Sequence, residues 1–399
     1  MQARLLETGR VWYLSTADRG AETPITTIRD GSTGLPDIFP DLDPVTRLVL
    51  FTDFEQGHAR PSAGDWRSAE PELITRGLSG LALRRIRKDG LEVPAAVLTE
   101  LRTSQFESMA TAAIAVREAK RGLEHLEAQR LRYVVTKGPG IAAHEQSPTN
   151  RPYIDLDVVV DVDDFQRALQ LLNSAGFNEF ERSRQPWGVF DRYCREAVNL
   201  RDVNGGSIDL HHHVSPWYWS GGLGVPTLLQ SSNVTRAFGT DVTVVSAAHN
   251  LLVAGLHVVS DKNRPGQTLR VWRDLLVLAN KCSIREAVDA ADAAGLCGWM
   301  SWILGCLPAE VRPDELVMAL SRRSTRIAGE WRLRRLLSPA FSSGHVASQL
   351  YRLPVENAIL FALGTIVPSR PFIRSKFPEE THPYLHWWRT SLDGIRSER

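Results

Sequence analysis

The sequence predicts an α+β protein: a small mixed sheet flanked by N- and C-terminal helical regions. Three observations carry this. A β-branched run, Ile154-Asp-Leu-Asp-Val-Val-Val, is too short for a helix of its own and begins with apolar-polar alternation. Asn204-Gly-Gly sits between two apolar stretches, as a hairpin turn does. Helical periodicity dominates the chain on either side of this block.

Taken in order, residues up to about 60 are rich in Pro, Gly and Asp with weak periodicity, and read as an irregular lead. From Glu70 to Arg132 the pattern is helical: Leu73, Leu78, Leu81, Leu83 and Ile86 first, then a polar turn at Lys88–Gly90 with Pro94, then a long stretch from Ala95. Tyr133-Val-Val-Thr reads as a short buried strand and Lys137-Gly-Pro-Gly as a tight turn. A strand over 154–160 and an amphipathic helix from Phe165, ended by Gly176, come next, with Asp161, Asp163 and Asp164 as its capping acids. Strands at about Phe190–Leu200 and Ser207–Val214 complete the sheet, and 245–259, 269–280 and 284–294 return to helix. The expected divisions are 1–116, 117–246 and 247–399.

A net charge of +1 gives no global field to hold a polyanion or an anionic membrane. Cys194, Cys282, Cys297 and Cys306 form no Cys-x-x-Cys pair, so reduced thiols in a cytoplasmic protein are expected rather than a disulfide framework. The start has no apolar signal run, and no apolar stretch is long enough to span a bilayer. No membrane association is expected.

The chemistry concentrates on three acids. In a strand, Asp155 and Asp157 share one face while Ile154, Leu156 and Val158 point into the core. Two carboxylates so placed repel unless a cation lies between them, and Mg²⁺, with Mn²⁺ as its substitute, suits an all-oxygen pair. Asp209, between Ile208 and Leu210 in a strand after the hairpin turn, is positioned to join them from a neighbouring strand. An Asp-x-Asp pair alone is weak; the glycine turn upstream and the second acid-bearing strand are what give it meaning.

Lys137-Gly138, Arg151-Pro-Tyr-Ile-Asp-Leu-Asp-Val-Val-Val and Gly206-Ser-Ile-Asp-Leu-His, with Ser246-Ala-Ala-His-Asn-Leu-Leu, Leu256-His257 and Leu269-Arg-Val-Trp-Arg-Asp274, together resemble the uncharacterised-nucleotidyltransferase group. That group belongs to the DNA polymerase β-like nucleotidyltransferase superfamily, and the resemblance covers roughly residues 70 to 280. It implies that Asp155 and Asp157 bind divalent metal and the triphosphate of an NTP such as ATP. Asp209 would complete the metal site and help deprotonate an acceptor hydroxyl, with pyrophosphate leaving. Lys137 and Gly138 occupy the turn where the superfamily has Gly-Ser or Gly-Gly; the backbone there would cradle phosphate and the ammonium would neutralise the leaving group. The sequence departs from the pattern at Ile154, where relatives often carry glycine, and at His212, where they carry Trp.

Other residues have two readings each. Arg151 either steers a triphosphate or pairs with a nearby acid. His211 supports Asp209 from behind, or Asp209, His211 and His213 form a transition-metal set of their own, which would make a phosphoester hydrolase. A non-catalytic nucleotide-binding module is the third class. His257 and Asp274 either orient a substrate or form buried hydrogen-bonded pairs. Trp217-Tyr-Trp219 reads as packing before it reads as an aromatic wall, and the arginines from Arg322 to Arg335 as a solvated helix face before an RNA grip. The helical C-terminal region is expected to help bind the acceptor. A sugar, another small molecule, a peptide or a protein side chain all fit, and a tRNA end ranks last given the near-zero charge.

Overall fold

A computed structural model describes residues 42–54, 60–179, 197–214, 223–260 and 269–324, with short pieces between 359 and 389. These belong to one compact unit, Pro36–Arg399. Trp217–Trp219, Cys194 and the arginines from Arg326 to Arg335 lie outside the described residues.

Among the described residues four helices precede the sheet: α1 (Pro44–Leu50), α2 (Ala63–Thr75), α3 (Ser79–Asp89) and α4 (Ala95–Ala128). Ser62 and Asp65 start α2 with a reciprocal capping box, satisfying two backbone donors that the first turn leaves over. Gly90 ends α3 in the left-handed conformation at φ 59°. The expected irregular lead holds one surprise. α1 is buried through Val45, Leu48, Val49 and Leu50. Seven residues are too few to display a period, so the helix is invisible in the pattern. Arg273 secures its end: the guanidinium donates to the carbonyls of Leu50 (3.2 Å) and Thr52 while making a bidentate pair with Glu145 at 2.8 and 2.9 Å.

The sheet is mixed and has the order β3-β4-β5-β2-β1-β7-β6. Its strands are β1 (Tyr133–Thr136), β2 (Leu156–Val160), β3 (Asn178–Glu179), β4 (Ala197–Arg201), β5 (Ser207–His211), β6 (Ser232–Ala237) and β7 (Thr240–Val245). β2 lies in the centre, antiparallel to β1 and parallel to β5, with Asp157 level with Thr136 on one side and Asp209 on the other. The β4–β5 hairpin turns where expected. Asp202 Oδ1 accepts from the backbone N–H of Asn204 (3.0 Å) and Gly206 (2.6 Å), and Gly205 takes φ 93°. The β6–β7 hairpin has no counterpart in the sequence reading. Its two-residue turn is Phe238-Gly239, both at positive φ (47° and 81°), and Phe in that position disguises what Asn-Gly would announce.

Alternation gives the sheet two unlike faces. Leu156, Val158, Val160, Ile208, Leu210, Val198 and Leu200 join Ala112, Val116, Ala119 and Leu123 of α4, and Phe165, Leu169 and Leu172 of α6 (Phe165–Ser174), in one apolar core. The opposite face carries Asp157, Asp209 and His211. α5 (Gly138–Ala142) follows β1 directly, so the expected glycine turn tightens into a short helix. α7 (Val225–Gln230) precedes β6, and α8 (Ala247–Ser260), α9 (Leu269–Ala279), α10 (Ile284–Ala293), α11 (Cys297–Gly305) and α12 (Asp314–Arg323) follow the sheet. No described helix is long and apolar enough to cross a membrane.

Candidate active site

β2 begins two residues later than the sequence reading has it. Leu156 is its first residue, and Ile154 and Asp155 form a bend ahead of it. Ile154 is therefore 59 % exposed at the edge of the site and does not enter the core. Asp155 still lines the same cleft as Asp157.

The parallel register sets Asp157 and Asp209 side by side on neighbouring strands, and His211 follows Asp209 on the same face. Donor atoms of Asp157, Asp209 and His211 all lie within 4.8 Å of one another. His211 Nε2 stands 3.2 Å from both Asp157 Oδ1 and Asp209 Oδ2, while its Nδ1 faces the carbonyl oxygen of His213 at 3.2 Å. Lys137 Nζ donates to the same Asp157 Oδ1 at 2.8 Å. One carboxylate oxygen thus receives two cationic partners.

The electrostatics follow from this crowding. Burial alone would raise Asp157, but Lys137 and His211 hold its carboxyl far below the usual carboxylate range. Burial would lower His211, yet the two aspartates push it up to about 10. Asp155 is pushed up to about 6, first by burial and then by the like charges of Asp157 and Asp209. Three carboxylates with two cations between them leave room for added positive charge.

Lys137 adopts φ 52° and ψ −128°, which costs a residue with a side chain on the order of 1–3 kcal/mol. Asn250 on α8 holds it there. Its Oδ1 accepts from the Lys137 backbone N–H at 2.9 Å and its Nδ2 donates to the carbonyl of Val245 at 3.2 Å. The Asn250 side chain is fully buried, and a Cβ on Gly140 would come within 2.9 Å of its Nδ2. Gly138, at φ 21°, continues the bend.

These residues open onto a cleft of about 590 Å³ whose far wall comes from α2, α8 and α9. Arg151 makes a buried bidentate pair with Asp274 in that wall, 2.8 and 2.7 Å. Burial would lower the guanidinium, but Asp274 raises it above its ordinary value. His257 also lines the cleft, and burial pushes it down to about 3, so it is neutral. Arg270 is the remaining cation of the α9 wall, bonded to the carbonyls of Pro152 (3.0 Å) and Arg76 (3.1 Å).

The structure thus gathers Lys137, Gly138, Arg151, Asp155, Asp157 and Asp209 around one cleft, with His211 directly behind the acids. It does not assemble Asp209, His211 and His213 into a metal set. β5 ends at His211, His213 meets His211 through its carbonyl, and the set among the described residues contains Asp157 instead. His212, where relatives carry Trp, is buried edge-on against Phe165 at 4.9 Å. Asp161 caps the bend before α6 by accepting from Asp163 N–H, and Asp164 makes no side-chain cap. Asn250 and Arg270 escaped the sequence reading. An Asn inside a mostly apolar helix is a usable signal; an Arg on an amphipathic helix is not, because it reads as the solvated face.

A family model described as an uncharacterised nucleotidyltransferase matches residues 62–293, from the start of α2 to the end of α10. No curated protein matches the chain.

Proposed function

The chain belongs to the uncharacterised nucleotidyltransferase family, and on that footing we propose that it moves a nucleoside monophosphate from an NTP to a hydroxyl-bearing acceptor, with release of pyrophosphate. The observation that carries this is the pairing of Asp157 with Asp209 across adjacent parallel strands, with Asp155 one bend ahead, at the floor of a cleft. The donor set fits a divalent ion. Its oxygens are hard, and Asp155, raised by burial and then by the like charges of Asp157 and Asp209, marks a negative excess that a cation relieves. Asp155, Asp157 and Asp209 would hold Mg²⁺, or Mn²⁺ in its place, which when bound supplies charge to polarise the α-phosphate and steady the leaving oxygens.

The chain's own groups do the rest. Asp209 is the more exposed of the strand pair, with 27 % of its side chain accessible, and it is the carboxylate able to take a proton from an incoming hydroxyl. His211, fixed by His213 through Nδ1, keeps both strand carboxylates in one orientation. Lys137, on its constrained backbone, is within reach of negative charge gathering on the pyrophosphate, and the first turn of α5 offers backbone N–H groups beside it. The helices after the sheet, α8 and α9, form the wall of the cleft that faces the acids. Sugars, other small molecules, peptides and proteins present suitable hydroxyls.

The test is calorimetric binding of each of the four NTPs, with and without Mg²⁺, to wild type and Asp157→Ala. Binding that needs Mg²⁺ and is lost in the variant is the expected result. A wild type that binds no NTP with any divalent ion would sink the reading.

A further inference from the structure

Among the described residues four cations line the cleft, and three of them are matched to carboxylates: Arg76 to Glu72, Lys137 to Asp157 and Arg151 to Asp274. Arg270 is different. Its bonds go only to the backbone carbonyls of Pro152 and Arg76, no carboxylate among the described residues lies within ion-pair distance, and its Nε is buried without a hydrogen-bond partner. Burial, and then the charge of Arg151 nearby, pull the guanidinium down to about 10, so it stays protonated at neutral pH while carrying a desolvation cost. The placement is built in. Gly77 sits at φ 64°, and a Cβ there would lie 2.0 Å from Arg270 Nη2, so only glycine lets the guanidinium rest where it does.

The cleft is bipolar: on the sheet side three carboxylates, Asp155, Asp157 and Asp209, share only Lys137 and His211, and on the helix side stands Arg270. That is the arrangement a metal-chelated polyphosphate fits, with cation against the acids and phosphoryl oxygens against a guanidinium fork. We infer that Arg270 is an anchoring site for the phosphate chain of the bound NTP, a role that rests on the nucleotidyl-transfer reading and adds a donor-binding residue to it. The Nη hydrogens that the two carbonyls leave over would supply the donors, and those carbonyls fix the guanidinium in the cleft wall.

The experiment is calorimetric titration of the full chain with the four NTPs, inorganic tripolyphosphate and inorganic phosphate, each with Mg²⁺. Wild type is compared with Arg270→Gln, Arg270→Lys and Gly77→Ala. Losing a charge-assisted contact should weaken the NTP and tripolyphosphate alike by roughly 10- to 100-fold in Arg270→Gln. Lysine should restore part of that. Gly77→Ala, which displaces the guanidinium without removing it, should weaken both ligands as well. Unchanged Mn²⁺ affinity in the variants would show that the carboxylate site is still folded. If wild type binds an NTP and Arg270→Gln binds it equally well, the inference is overturned while nucleotidyl transfer stands. Loss of inorganic phosphate binding alone, with NTP binding intact, would also overturn the donor assignment and move the site to an anionic group on the acceptor. A wild type that binds no NTP would instead refute the transfer reading itself.

Discussion

Asp155→Asn should make the metal-free protein more stable at pH 8 and leave it almost unchanged below pH 4. In the folded state Asp155 titrates near pH 6, against an ordinary value of 3.8, because burial and the charges of Asp157 and Asp209 penalise its ionised form. A carboxyl with a raised folded pKa costs nothing while both states are protonated. The cost appears as pH climbs past the unfolded value and is complete once pH exceeds the folded one. The gap of about two units corresponds to roughly 3 kcal/mol at most, and water reaching the cleft will reduce it. Asparagine keeps the shape and removes the charge. Thermal scans in EDTA at pH 4, 6 and 8 should therefore show a gain in Tm that grows with pH. Adding Mg²⁺ should reverse the order at pH 8, since the ion stabilises wild type through all three acids and the variant through two. A variant no more stable than wild type at pH 8 in EDTA would refute the like-charge account of this cleft.

Two more perturbations probe the frame around the acids. Asn250→Leu leaves the Lys137 N–H and the Val245 carbonyl without their partner, at about 1–3 kcal/mol for each buried group, so Tm should fall. Adding Lys137→Gly should recover part of the loss, because glycine adopts positive φ freely; no recovery would mean that Asn250 does not hold that backbone in place. Arg151→Met strands Asp274 in the cleft wall and should cost about 3–5 kcal/mol, measurable by denaturant unfolding. The double variant with Asp274→Leu should regain most of it, and a double variant worse than the single would show that the pair does more than neutralise itself.

Much of the site was legible because strand periodicity and chemistry agree there. Two aspartates one residue apart at the head of a β-branched run, and a third after an Asn-Gly-Gly turn, leave few ways to arrange a sheet. The parallel pairing of β2 with β5 then aligns Asp157 with Asp209. What the sequence could not supply was distance between remote segments. Nothing local marks Asp274 as the partner of Arg151, 123 residues earlier, or Asn250 as the support of Lys137. The Ile154 misreading has a local cause. An isoleucine before Asp-Leu-Asp matches strand alternation perfectly, and only the tertiary cleft bends the chain there and leaves the side chain at its lip. The β6–β7 hairpin went unread because Phe238 occupies a left-handed turn position that propensity assigns to Asn or Gly.

The most direct test of the central claim is Mn²⁺ electron paramagnetic resonance on wild type, Asp155→Ala, Asp157→Ala and Asp209→Ala, with and without an NTP carrying ¹⁷O in its phosphates. If the three acids form one metal-nucleotide site, wild type should bind Mn²⁺ more tightly with NTP present. The ¹⁷O label should broaden the bound signal, and each alanine variant should lose affinity. Mn²⁺ bound undiminished in all three variants, or bound with no ¹⁷O broadening, would contradict it.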